Sequence, residues 1–219
     1  MKNYFTISIL LIILTTIACG KDNEPEINDS IQMGYHDDSF IYHKYASPIS
    51  PIMVWDSLNL HAIGEATIHL QTNNGTVDIV FTLSLLNPDS IHLINSVSPE
   101  PYPYLYLKWL ADFDPVAEYE TVYVGQGSAA KVFSIKPLDY MATIDNSSTY
   151  TSRLSENRSL RLWEVPPSDS GPQGLTNGPW HNLASIKYIG FNNNGKLGWI
   201  KIDNTNQLQP KIISWAIRN

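Results

Sequence analysis

Between residues 66 and 85 the chain alternates apolar and polar positions almost without a break. Ala66, Ile68 and Leu70 alternate with Thr67, His69 and Gln71; after Asn73-Asn74-Gly75, Val77, Ile79, Phe81, Leu83 and Leu85 alternate with Asp78, Val80, Thr82 and Ser84. A period of two puts every second side chain on the same face of a strand, so the two runs predict a β-hairpin. Asn and Gly tolerate the positive φ that a tight turn demands. Shorter runs predict strands at 31–35, 40–45, 52–55, 91–97, 102–110, 121–124, 132–135, 160–165, 186–191, 197–202 and 211–217. Apolar spacing of three and four with helical caps is not sustained in any segment, and residues 114–119 are the one place where a short helix is expected. Pro and Gly fall mainly between the runs, as turn chemistry requires. The pattern predicts an all-β fold, an antiparallel two-sheet sandwich of jelly-roll type, spanning residues 31–219 as one domain. Two adjoining small sandwiches are the alternative.

The N-terminus follows a different pattern. Lys2 precedes an apolar run over residues 4–17. A helix needs about twenty apolar residues to span a bilayer core, and this run is shorter. It suits the core of an export signal, and Thr16-Ile17-Ala18-Cys19 resembles the lipobox of bacterial lipoproteins, with Thr16 in place of the usual Leu or Val. The resemblance implies a signal peptide over 1–18, a lipid on Cys19, and attachment to the outer membrane through that lipid. Residues 19–30 hold almost nothing apolar to offset ordering entropy and are expected to form a flexible tether. Fully extended, residues 20–30 reach on the order of 35–40 Å. Cys19 is the only cysteine, so no disulfide can support the fold.

A net charge of −7 with 16% charged residues and no basic run excludes the usual electrostatic footprint of a nucleic-acid binder. Catalytic signatures are sparse. His36, His43, His61, His69, His92 and His181 show no metal-ligand spacing, and neither a Gly-x-Ser-x-Gly elbow nor a phosphate-cradling glycine loop occurs. No cofactor is implied. Asp112, Asp114, Glu118 and Glu120 are close in sequence, and paired carboxylates could hydrolyse a glycoside; clustered acids equally describe a solvated loop.

The candidate binding surface is Pro101-Tyr102-Pro103-Tyr104-Leu105-Tyr106-Leu107-Lys108-Trp109. In an extended chain Tyr102, Tyr104 and Tyr106 share one side and Leu105, Leu107 and Trp109 the other. A tyrosine row suits stacking on sugars or contact with a protein; packing under a covering loop is the competing reading. Trp180, in the turn-rich stretch 166–181, either plugs a core end or marks a binding loop. Trp199 and Trp215 sit in alternating runs and are expected in the core.

The 67–81 hairpin, Lys136-Pro137-Leu138, Gly178-Pro179-Trp180, Lys187-Tyr188-Ile189-Gly190-Phe191 and Gly198-Trp199-Ile200-Lys201-Ile202, followed by a last strand with Trp215-Ala216, resemble in content and order a group of largely uncharacterised cell-surface lipoproteins of the Bacteroidota. Many of these carry an acidic, calcium-ligating first hairpin turn. Here Leu70, Thr72 and Asn74 stand at those positions, so a simple turn is expected. The resemblance implies a surface-exposed outer-membrane lipoprotein. With the tyrosine row, the expected function is non-catalytic binding of a glycan or protein partner; a surface polysaccharide hydrolase and an envelope scaffold are the alternatives.

Overall fold

The computed structural model describes residues 30–56, 61–73, 75–86, 104–109, 113–124, 128–151, 159–164, 178–180, 183–206 and 209–219. Among them the regular elements are fourteen strands: β1 (Ser30–Gln32), β2 (Phe40–Ile49), β3 (Ile52–Asp56), β4 (His61–Thr72), β5 (Gly75–Leu86), β6 (Tyr104–Trp109), β7 (Asp114–Pro115), β8 (Ala117–Val124), β9 (Ser128–Ile135), β10 (Thr143–Asp145), β11 (Ser159–Glu164), β12 (Ile186–Asn193), β13 (Lys196–Asp203) and β14 (Lys211–Arg218). One five-stranded sheet has the order β11-β6-β5-β4-β3 and a second the order β2-β14-β13-β12-β7, while β1-β10 and β8-β9 form two-stranded ribbons. Every pairing is antiparallel. The all-β sandwich expected from the alternation is therefore the observed fold.

The long hairpin supplies the first sheet's inner face. Thr72 pairs with Gly75, so two residues make the connection, and the Thr72 hydroxyl donates to the Gly75 carbonyl at 2.8 Å. Ala66, Ile68, Leu70, Val77, Ile79, Phe81 and Leu83 are all buried. They meet Ile189, Phe191, Ile200, Ile202, Ile212, Trp215 and Ile217 from the second sheet in one continuous core. A run of large apolar groups removed from water on both sides is the main force holding sheet on sheet, at about 1.5–3 kcal/mol for each fully buried large aliphatic side chain.

The second sheet is covered on its other face as well. Tyr188, Leu197, Trp199 and Ala216 pack there against Ile31, Met33, Val116, Leu138, Ile144 and Tyr150. This third layer is the β1-β10 ribbon with the chain that follows residue 136. Its backbone is tied by Met33 N to Ala142 O at 2.9 Å, Met141 N to Met33 O at 3.0 Å, and a bridge between Leu138 and Tyr188. Burial on both faces explains why β13 and β14 read as apolar on both phases of their alternation.

Bulges break the simple period. The register of β14 against both neighbours shifts at Ile213, which places Ile212 and Trp215 on one face although they are three residues apart. Residues 114–119, expected as a short helix, are extended: Asp114-Pro115 pair with β12, and Ala117 onward pair with β9. Pro115 lacks an amide donor, and the β-branched and aromatic residues that follow favour a pleated strand. The short strands β7 and β10 were not anticipated, and Ser30, expected in the tether, begins β1. Cys19, the expected strand 91–97 and Tyr102 lie outside the described residues.

Candidate functional site

The tyrosine row is placed by its backbone. Tyr104 pairs with Ser84 and Glu164, and Tyr106 with Thr82 and Arg161, so β6 is an interior strand with ladders on both sides. Leu105 and Leu107 are fully buried, as the alternation requires. Trp180 is also fully buried. Its indole donates to the Ile135 carbonyl at 2.8 Å and its own carbonyl accepts from the Asn204 side chain at 3.3 Å. Of its two expected roles, the structure gives it the plug at a core end; its ring is not presented to a ligand. Trp199 and Trp215 are core residues, as expected.

A different aromatic surface emerges where the third layer meets the second sheet. The chain Gly34-Tyr35-His36-Asp37-Asp38-Ser39 turns between β1 and β2, and Asp37 holds the turn by accepting from the Ser39 amide at 2.9 Å and its hydroxyl at 2.6 Å. Those bonds hold the Asp37 carboxyl below its ordinary pKa. The turn brings His36 onto Tyr42, ring centroids 3.7 Å apart and nearly parallel. Tyr42 lies 6.0 Å from Trp199, Trp199 meets Tyr188 edge-on at 5.6 Å, and Tyr188 lies 6.4 Å from Tyr140. The result is a continuous row of five rings. Tyr140 is 66% exposed and Tyr42 38%, whereas Trp199 and Tyr188 form a buried floor. Trp199 is locked by its indole N–H bonding the Tyr35 carbonyl at 2.9 Å.

Gly34 is what lets the row close. A Cβ there would lie 2.8 Å from the Tyr140 ring and from the Tyr188 hydroxyl, and its φ of +81° is one that side chains disfavour. Lys201, paired with Tyr188 across β12 and β13, holds its ammonium 5.9 Å from the Tyr188 ring centre. Burial first, and then the neighbouring Tyr140 and Tyr42 phenols, push the Tyr188 pKa up, so it remains a neutral hydroxyl at physiological pH. Sequence reading missed this surface because its rings come from four separated stretches, around residues 36–42, 140, 188 and 199. The one local signal is His36 and Tyr42 flanking the Asp-Asp-Ser turn.

The acidic cluster divides between sheets. Asp114 belongs to β7 on the second sheet, Glu118 and Glu120 to the β8-β9 ribbon, and Asp112 lies outside the described residues. Among the described residues no group of three or more His, Cys, Asp or Glu could hold a metal ion, and no helix is long and apolar enough to cross a membrane. Compared with protein-family models, curated proteins and solved structures, the chain gives no match.

Proposed function

We propose that this protein is a lipid-anchored surface protein of the bacterial outer membrane, of the Bacteroidota type, whose sandwich acts as a non-catalytic binding module. Cys19 carries the anchor, residues 20–29 the reach, and the Tyr42–Tyr140 surface the recognition. The observation that supports the reading most is the five-ring row: exposed rings backed by buried ones on a sheet packed from both sides, which costs little conformational entropy when a partner settles on it. Palmitate labelling and membrane fractionation test the anchor. Wild type labels and sediments with outer membranes, Cys19→Ala does neither, and equal behaviour of the two overturns the anchor. For the module, wild type and a Tyr42→Ala/Tyr140→Ala double variant are compared on immobilised glycans and purified envelope proteins. Loss of a wild-type signal in the double variant supports the reading, and identical profiles refute it.

A further inference from the structure

We infer that the Tyr42–Tyr140 surface takes a neutral carbohydrate, and that the Tyr188 hydroxyl is its hydrogen-bonding anchor. The inference deepens the binding-module reading and rests on it. A sugar ring has an apolar face of C–H groups and a rim of hydroxyls, so it needs flat rings together with a few fixed polar atoms. Tyr42 and Tyr140 provide the exposed rings. The fixed polar atom is Tyr188 Oη. Its residue is only 2% exposed, yet the hydroxyl makes no hydrogen bond to any described residue and lies against Tyr140 at Gly34. The Tyr188 oxygen is not cut off from solvent in the way that the unpartnered Thr151 Oγ1 is, so beneath the exposed rings it stays within reach of a ligand seated on them.

Charge narrows the ligand further. The Lys201 ammonium over the Tyr188 ring opposes a cationic ligand and can donate to sugar hydroxyls. Asp37 and Asp38 in the adjoining turn, with the overall charge of −7, oppose a polyanionic glycan. A protein partner of ordinary stability needs about 800 Å² from each side, more than a few ring faces bordered by an acidic turn supply.

The test uses the full chain in detergent micelles against panels of neutral glycans, acidic glycans and purified envelope proteins, with calorimetry on the best ligand. A neutral glycan is expected to bind wild type, to weaken at least tenfold with Tyr42→Ala or Tyr140→Ala, and to weaken five- to tenfold with Tyr188→Phe. Tyr188→Phe keeps the ring and its packing, so its melting temperature should match wild type. Neutral-glycan binding that is indifferent to Tyr188→Phe overturns the anchor role. Binding of acidic glycans or protein alone, still lost in the Tyr42 and Tyr140 variants, overturns the neutral-carbohydrate assignment and leaves the binding surface standing. Binding unaffected by all three variants overturns both.

Discussion

Replacing Trp180 by Phe separates a structural plug from a recognition residue. The indole N–H is the partner of the Ile135 carbonyl at 2.8 Å. That carbonyl is left to it by the β8-β9 ladder, because Lys136 N donates to Val116 O and Ala117 N turns away to Thr149 O. Phe has no donor, so the substitution orphans a buried carbonyl at a cost of about 1–3 kcal/mol. The smaller ring leaves a void of roughly 40 Å³, and at about 24 cal/mol per Å³ this adds about 1 kcal/mol. A total of about 2–4 kcal/mol is expected from these two effects. With a urea m-value of roughly 2 kcal/mol/M, the unfolding midpoint should fall by roughly 1–2 M at unchanged slope. Tyrosine-row or third-layer ligand binding, measured on the folded variant in buffer, should be untouched. A midpoint indistinguishable from wild type, or lost binding at full stability, would refute the plug.

Two further substitutions probe the packing and the turns. Gly198→Ala would drive a Cβ into the Phe191 ring and to 2.6 Å from the Ala216 carbonyl, on a strand held from both sides; an overpacking cost of about 1–3 kcal/mol should lower the melting temperature by roughly 2–12 °C in scanning calorimetry, and an unchanged melt would contradict the geometry. Asp37, Asp145 and Asp203 each accept from a hydroxyl and an amide two residues on, and those bonds, with Ser39, Ser147 and Thr205, hold their pKa values below the ordinary one. A depressed folded pKa stabilises the protein above the unfolded carboxyl pKa, about 3.9, and that stabilisation disappears as pH falls through the lower folded value. The triple Asp→Asn variant should therefore lose less stability than wild type between pH 5 and pH 2 in urea titrations, and parallel acid profiles would count against the turns.

What the chain reveals by inspection depends on how local the cause is. The β4-β5 hairpin was legible because one face meets the core, so polarity alternates from Ala66 to Leu83 with Val80 the one exception. The strands β12 to β14 were legible in position, but their second buried face was not, since apolar residues on both phases fit a wider sandwich as well as a third layer. β7 and β10 have two and three residues, too few for any period. Residues 114–119 were open to a short helix because no alternation marks them, whereas Pro115 and pairing partners far along the chain decide the outcome. Trp180 stood between two roles because the sequence does not show which carbonyl its indole will find. The aromatic row was invisible for a related reason: Tyr42, Trp199 and Tyr188 are neighbours only once β2, β13 and β12 have assembled in the second sheet, and Tyr140 joins them only when the third layer folds onto it.

The β1-β10 ribbon has three rungs, Ser30 to Asp145, Ile31 to Ile144 and Gln32 to Thr143, reinforced by the Arg218 guanidinium on the Ser30 carbonyl. Any mechanical tension on the chain upstream of Ser30 is borne first by these rungs and by the Arg218 bond into β14 of the second sheet. Behind them stand the Met33 bonds and then Gly34, over which Tyr140 and Tyr188 close. A pull strong enough to strip β1 would thus loosen the row at Gly34, where Tyr140 closes on Tyr188, while leaving the two large sheets standing, so the proposed binding surface is the part most exposed to load.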